Sequence, residues 1–362
     1  MTQTILLICV SFAVSCICGF IFIPQILNFC KIKKLYDIPN ERKIHKNAVP
    51  RLGGISFLPS MFVAFLIALF MWENLTGYKQ ITLNLWSCFF LVCLLLIYGV
   101  GLIDDLIGLG AKTKFVVQII AATLIPFSGL YINNLYGLFG IYEIPSYIGM
   151  PLTIFIIVFI DNAMNLIDGI DGLAGGLALL SLLGFLYCFF REGLWLYSML
   201  IAGLMGVLVP YLYFNLFGKI EDNRKIFMGD SGSLTLGFIL GFLFVKFAMH
   251  NPNVMPFRKD SLLLSFTLLI VPLFDVVRVI FVRMQRRQPL FSADKNHIHH
   301  ILMKTGLTQY QSLFIILSIA VSYAIVNMFL YIIVDIPFTI IFILDILFYV
   351  YLHFYITKRA KK

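Results

Sequence analysis

The chain has 362 residues, 60% of them hydrophobic and only 12% charged, with a formal net charge of +9. Soluble domains carry roughly a quarter charged residues, so this composition excludes an ordinary water-soluble protein and indicates a helical integral membrane protein. The apolar–polar alternation of a membrane barrel is absent, and no polar stretch is long enough for a separate soluble domain, so residues 1–362 read as a single membrane domain.

Apolar runs lie near residues 4–29, 54–72, 82–103, 115–132, 146–161, 173–190, 194–217, 232–249, 261–282, 311–332 and 336–357. About 20 apolar residues cross a bilayer, so these runs predict an all-α polytopic protein of about 11 transmembrane helices. The first run lacks the positive n-region of a secretory signal and is read as a retained span. The seven cysteines lie mainly in apolar runs, which fits small buried hydrophobes better than a disulfide framework or a metal site. Of the 27 Lys and Arg residues, all but Lys79, Arg191, Lys246, Arg258 and Lys259 fall in odd-numbered loops, at one span end or in the C-terminal tail. The positive-inside rule therefore predicts an N-terminus outside, a cytoplasmic C-terminus and cytoplasmic odd-numbered loops. Topology accounts for the positive charge, and nucleic acid is not implied.

Polar islands fall on that same side. They are NERKIHKNAVPRLGGI (40–55), GLIDDLIGLGAKTK (101–114), DNAMNLIDGIDGLAGG (161–176), RKIFMGDSGSLTLG (224–237) and VRMQRRQPLFSADKNHIHH (282–300). In a helix, Asp161, Asn165 and Asp168 share one face, because steps of three and four stay aligned. Asp171 extends that face unless Gly169 and Gly172 break the helix first. Burying such a row is costly without cations or polar partners; the competing reading is a solvated turn with helix-capping residues. Asp104 and Asp105 project about 100° apart on a helix and so should have different partners; simple pairing with Lys112 and Lys114 is the blander account.

FMGDSGS sets two glycines around Asp230 just before an apolar run, and backbone N–H groups at a helix start attract phosphate. Asp230 with Asn165 offers the hard oxygen ligands that magnesium takes beside substrate phosphates; a capped helix start is the alternative. Phe227 sits where an aromatic ring could stack on a base. His297, His299 and His300 lie among Arg283, Arg286, Arg287 and Lys295. Zinc would want cysteines nearby and fewer positive neighbours, so a phosphate pocket is favoured, with anionic lipid headgroups as the alternative. Carboxylates for a divalent ion and a basic clamp beside a lipid phase suit phosphoryl transfer from a nucleotide donor to a lipid phosphate.

With PRLGG, GLIDD, NLIDGIDGLAGG, FMGDSGS and HIHH in five ordered loops, the chain resembles the polyprenyl-phosphate N-acetylhexosamine-1-phosphate transferase family over nearly its whole length. The HIHH form is similar to the branch using UDP-N-acetylglucosamine, or a related UDP-sugar, with undecaprenyl phosphate. The branch handling UDP-N-acetylmuramoyl-pentapeptide for peptidoglycan has a different histidine segment and stands as the alternative. From another class, an ion-coupled transporter would place its Asp residues near the bilayer midplane on broken helices, whereas here they cluster at the predicted cytoplasmic ends.

The resemblance implies transfer of N-acetylglucosamine 1-phosphate from a UDP-sugar to undecaprenyl phosphate with release of UMP. This would be the initiating step of a cell-envelope polysaccharide, on the cytoplasmic face of the bacterial inner membrane. It implies Mg2+ held by Asn165 and Asp230, with Mn2+ as a substitute. Asp104 becomes the base or nucleophile, supported by Asp105. Asp168, grouped with these two as catalytic, helps Asp171 form the nucleotide-sugar site, and Phe227 contacts uracil. Lys46, Lys114, Arg283, Asp294, His297, His299 and His300 position or neutralise phosphates. Membrane lipid is a partner, nucleic acid is not, and a homodimer stays open. The second pKa of a phosphate monoester is near 6, so the lipid phosphate needs little deprotonation; direct attack is the simpler mechanism, and a covalent phospho-Asp104 intermediate the alternative.

Overall fold

A computed structural model describes residues 2–37, 48–76, 84–287 and 296–360. Each apolar run lies on a helix or on a bent pair of helices. In chain order these are α1 (Thr2–Lys33), α2 (Phe57–Thr76), α3 (Leu85–Ile107), α4 (Ala111–Phe127), α5 (Ser146–Ile167), α6 (Leu173–Arg191), α7 (Trp195–Phe217), α8 (Asp230–Ala248), α9 (Ser261–Leu268), α10 (Ile270–Gln285), α11 (Ile298–Lys304), α12 (Gln309–Ile332) and α13 (Phe338–Arg359). The protein is an all-α polytopic membrane protein. Among the described residues nine helices are long and apolar enough to cross a membrane, or up to ten if the bent pair is one span. The helix on the fourth run, α4, has 17 residues, short of the roughly 20 that a full crossing takes. Two small antiparallel hairpins, β1 (Tyr36–Asp37) with β2 (Val49–Pro50) and β3 (Asn134–Leu138) with β4 (Ile141–Glu143), lie in connections.

The ninth run, 261–282, is read from sequence as one span, yet α9 and α10 meet at a 69° bend. Pro272 explains the break. It has no N–H to give the carbonyl four residues earlier, and its ring crowds that carbonyl. The carbonyl is that of Leu268, and the Ser181 hydroxyl of α6 donates to it at 2.7 Å instead.

Helix α8 is mostly apolar and buried from Ser231 to its end, as expected of a helix at the centre of a bundle. It packs against α3, α5, α6 and α9. Its approach to α5 is close, because a Cβ on Gly237 would lie 2.6 Å from Asp161 Cα; small residues allow such packing between apolar helices. The N-terminus of α8 thereby meets the C-terminal ends of α3 and α5 and the start of α4, where side chains of the polar islands converge.

Candidate active site

The site is assembled on backbone contacts between chain segments far apart in sequence. Phe227 donates its N–H to the Pro50 carbonyl at 2.7 Å, while Gly53 and Gly54 donate to the Phe227 and Met228 carbonyls at 2.9 and 2.8 Å. A side chain on Gly54 would put Cβ 2.1 Å from Gly232 Cα, so only glycine permits this approach. Gly229, just before α8, has φ +74°, in the left-handed region glycine enters without steric cost; a Cβ there would lie 2.0 Å from the Arg51 carbonyl oxygen. These contacts fix Asp230 as the first residue of α8.

The adjacent carboxylates at the end of α3 have different partners, as their angular separation requires. Asp105 accepts the backbone N–H groups of Asp230 and Ser231 at 2.8 and 2.9 Å, satisfying donors that a helix start leaves without intrahelical partners. Arg51 donates to the Asp105 carbonyl through Nη2 at 2.8 Å and Nε at 3.1 Å, and to the Asp104 carbonyl at 3.4 Å. A cation on these last carbonyls of α3 complements the negative end of the helix dipole.

Asp104 turns instead toward the start of α4. Its Oδ1 accepts the Leu109 N–H at 2.6 Å and its Oδ2 the Lys114 ammonium at 3.2 Å. Lys114 also forms an ion pair with Asp230, so one ammonium bridges carboxylates from α3 and α8. The Asn165 amide donates to Asp230 Oδ1 at 3.3 Å and to the Ser233 hydroxyl at 2.8 Å. One oxygen from each of Asp104, Asp105 and Asp230 lies within 4.8 Å of the others. An all-oxygen donor set of this kind, two members of which already share one ammonium, fits a hard divalent ion such as magnesium.

Helix α5, which carries Asp161 and Asn165 on one face, ends at Ile167 with Asp168 as its C-cap, so Asp171 leaves that face. Burial, and then the negative charges of Asp230, Asp171 and Asp105, push the Asp168 carboxyl up to about 7. Asp171 pairs with Lys225 at 2.7 Å, and Lys225 also donates to the Asn215 carbonyl. The Asn215 side chain ties the same region together, accepting the Gly172 N–H at 2.7 Å and donating to the Ile226 carbonyl at 2.8 Å. Asp161, one helical turn before Asn165, lies deeper against Gly237, and among the described residues neither of its carboxylate oxygens has a hydrogen-bond partner.

The histidines enter from the other side. His297 Nδ1 lies 2.7 Å from Asp275 Oδ2, and Asp275 Oδ1 accepts the Ile298 N–H at 2.9 Å. Arg278 donates to Asp275 at 3.3 Å and to the Asn296 carbonyl. His299 packs on the loop after α5, where a Cβ on Gly169 would be 2.2 Å from its Nε2. Its burial, and then the charge of His300, hold the His299 imidazole down to about 3. This ring is therefore neutral, able to offer a hydrogen bond to a phosphate but not a positive charge. The rings of His299 and His300 have centroids 4.2 Å apart, and His297 stacks on His299 at 5.8 Å. Among the described residues, the group able to hold one metal ion between three ligating side chains is the carboxylate set and not the histidines.

The structure thus brings together Asp104, Asp105, Lys114, Asn165 and Asp230, with Asp168 near them and His299 against Gly169. Phe227 is half-buried beside them, its backbone held between Pro50 and Gly53. Arg283 is buried in the last turn of α10. Lys46 and Asp294 lie outside the described residues. Sequence reasoning passed over Arg51 and Lys225, which look like ordinary loop charges, and Asn215, for which no signal stands out. It also passed over Asp275. That residue carried a signal, since an ionisable group inside an apolar run is expensive and needs a named partner.

Comparison with known proteins adds an independent line. Residues 87–248, the segment from α3 through α8, match the family described as Glycosyl transferase family 4. The chain is 31% identical over 320 residues to a Bacillus subtilis protein named probable undecaprenyl-phosphate N-acetylglucosaminyl 1-phosphate transferase, covering 88% of this chain and 83% of the relative. Proteins named undecaprenyl-phosphate alpha-N-acetylglucosaminyl 1-phosphate transferase from Yersinia pestis and Escherichia coli K12 are similar at 29% identity over 288 residues and 28% over 312. The first comparison covers 79% of this chain and 74% of the relative, the second 83% and 78%.

Proposed function

The chain belongs to glycosyl transferase family 4, and from that premise we propose that it transfers N-acetylglucosamine 1-phosphate from UDP-N-acetylglucosamine to undecaprenyl phosphate. UMP leaves and a lipid-linked sugar pyrophosphate is made, the first step of a cell-envelope polysaccharide. The observation that carries the reading is the Lys114 ammonium held between Asp104 and Asp230, where three helices meet. The loop charges favour placing this end of the bundle at the cytoplasmic face of the bacterial inner membrane, with the N-terminus outside.

Asp230 and Asn165, with Asp104 in reach, would hold Mg2+ or Mn2+, which when bound supplies charge neutralisation at the donor pyrophosphate. The chain's own groups do the rest. Both oxygens of Asp104 already accept hydrogen bonds, an arrangement that favours the carboxylate and lowers its reactivity as a nucleophile. Asp104 is therefore better suited to orienting the lipid phosphate than to forming a covalent intermediate. A lipid phosphate oxygen attacks the β-phosphorus of the donor; that P–O bond forms as the anhydride bond to UMP breaks. Lys114 offsets the repulsion between the incoming dianion and the carboxylates. Asp168, Asp171 with Lys225, and Phe227 would bound the nucleotide-sugar, and Arg283 and the histidines would meet phosphate oxygens.

The test is a panel of UDP-sugars offered to the purified protein in nanodiscs with magnesium and undecaprenyl phosphate, with lipid products read by mass spectrometry. Undecaprenyl pyrophosphate carrying N-acetylglucosamine is the expected product. A lipid bearing sugar without both phosphates, or no lipid product, would contradict the proposal.

A further inference from the structure

Asp275 belongs to none of the sequence motifs, yet it is the most thoroughly engaged carboxylate near the site. It is wholly buried, at 0% exposure. A carboxylate so placed is tolerated only when its oxygens are matched by donors. Three groups supply them: the His297 ring, the Ile298 backbone N–H and the Arg278 guanidinium. The first two are the cap and first residue of α11, so one side chain of α10 sets both the start of that helix and the orientation of its first imidazole.

The contact has a chemical consequence. Asp275 is an acceptor, so the hydrogen on His297 Nδ1 is fixed there by the short contact at 2.7 Å. The remaining ring nitrogen, Nε2, is then the one open to other partners, since which nitrogen carries hydrogen is set by the bond the other makes. The stack of His297 on His299, and the seating of His299 on Gly169, carry that orientation to the loop after α5. A carboxylate that served only to anchor α11 could do so through the Ile298 N–H alone.

From this we infer that Asp275 is a positioning residue, which locks the His297 imidazole as its Nδ1–H tautomer and directs Nε2 toward substrate phosphate. The inference rests on the transferase reading for the phosphate, but the tautomer does not. Asp275 touches no reacting atom itself; it acts through His297.

A double-mutant cycle in nanodisc-embedded full-length protein separates this role from mere structural support. Asp275→Asn should lower kcat about tenfold or more, the scale typical of groups that orient a functional imidazole, with little change in KM for UDP-N-acetylglucosamine. In a His297→Gln background the same substitution should add less than about twofold, because its route of action is already gone. Losses that multiply in the double variant, or an unchanged kcat in Asp275→Asn, would overturn the inference. The second measurement needs no turnover: 15N NMR of ring-labelled histidine in the wild-type protein should show His297 protonated at Nδ1, with that signature altered in Asp275→Asn. An Nε2–H signature in the wild type would equally overturn it. If the wild type made no lipid-linked product while the Nδ1–H signature was present, the transferase reading would fail and the tautomer assignment would stand.

Discussion

Asp105 holds Asp230 by its backbone, accepting the Asp230 N–H at 2.8 Å on one carboxylate oxygen and the Ser231 N–H at 2.9 Å on the other. The bond joins the end of α3 to the start of α8 and makes one structure of two motifs that lie 125 residues apart. It also divides the labour of the Asp-Asp pair. Asp104 pairs with Lys114, while Asp105 builds the place where Asp230 stands.

Asp105→Asn should therefore damage the protein differently from Asp104→Asn. An amide can accept one of the two N–H groups but turns its own donor toward the other. Leaving a buried donor unmatched costs about 1–3 kcal/mol, so thermal unfolding in detergent should move down measurably in Asp105→Asn, with activity lost alongside. Unaltered unfolding of that variant would show that the N-terminus of α8 does not depend on the carboxylate.

Lys114→Met removes the ammonium between Asp104 and Asp230 while keeping the side chain's apolar bulk. Turnover should fall at least about tenfold, equivalent to about 1.4 kcal/mol of barrier. Lys114→Arg keeps the charge but replaces a compact ammonium with a planar fork, and should recover only part of the loss. Steady-state kcat/KM for the three proteins decides the matter, and full activity in Lys114→Met would remove the lysine from the account.

The Asp168 carboxyl gives the protein a pH-dependent stability. In the folded chain it titrates at about 7, against about 3.9 for an ordinary aspartate. Below both values it is protonated whether folded or not. Between about pH 4 and 7 the unfolded chain loses this proton and the folded chain keeps it, so stability falls as pH rises through that window and is level above it. Asp168→Asn abolishes the effect. In magnesium-free buffer the variant's melting temperature should gain on the wild type's between pH 5 and 7.5, and parallel curves would refute the assignment.

Gly54→Ala probes the backbone scaffold. Its Cβ would meet Gly232 Cα at 2.1 Å, and backbone on the far side cannot swing away as a side chain could. Overpacking of this kind costs typically about 1–3 kcal/mol. The expected outcome is a lowered unfolding temperature and a loss of activity, both read on the same preparation.

Much of this was legible in the sequence for physical reasons. Long apolar runs must become helices in lipid, because every backbone polar group needs an internal partner, and the structure places a helix or a bent pair on each run. The separate partners of Asp104 and Asp105 followed from helical geometry alone. What stayed hidden depended on three-dimensional coincidence. The bend at Leu269 turns on Pro272, whose effect was masked by the apolar continuity of residues 261–282. The end of α5 before Asp171 is settled by tertiary contacts such as that between Gly172 and Asn215, 43 residues apart. Arg51 was visible as a charge, but no spacing rule points it at the carbonyl groups ending α3.

Direct transfer between nucleotide and lipid phosphate can be read from exchange of labelled UMP into UDP-N-acetylglucosamine. One phosphoanhydride is broken and one made, so the reaction should run in both directions through the same transition state. The purified protein with magnesium should exchange label when undecaprenyl phosphate is present, show none without it, and lose exchange in Asp230→Asn. Exchange of equal rate without any lipid phosphate would mean that the chain itself carries the sugar phosphate, and would contradict direct attack; no exchange even with the lipid would contradict the transfer itself.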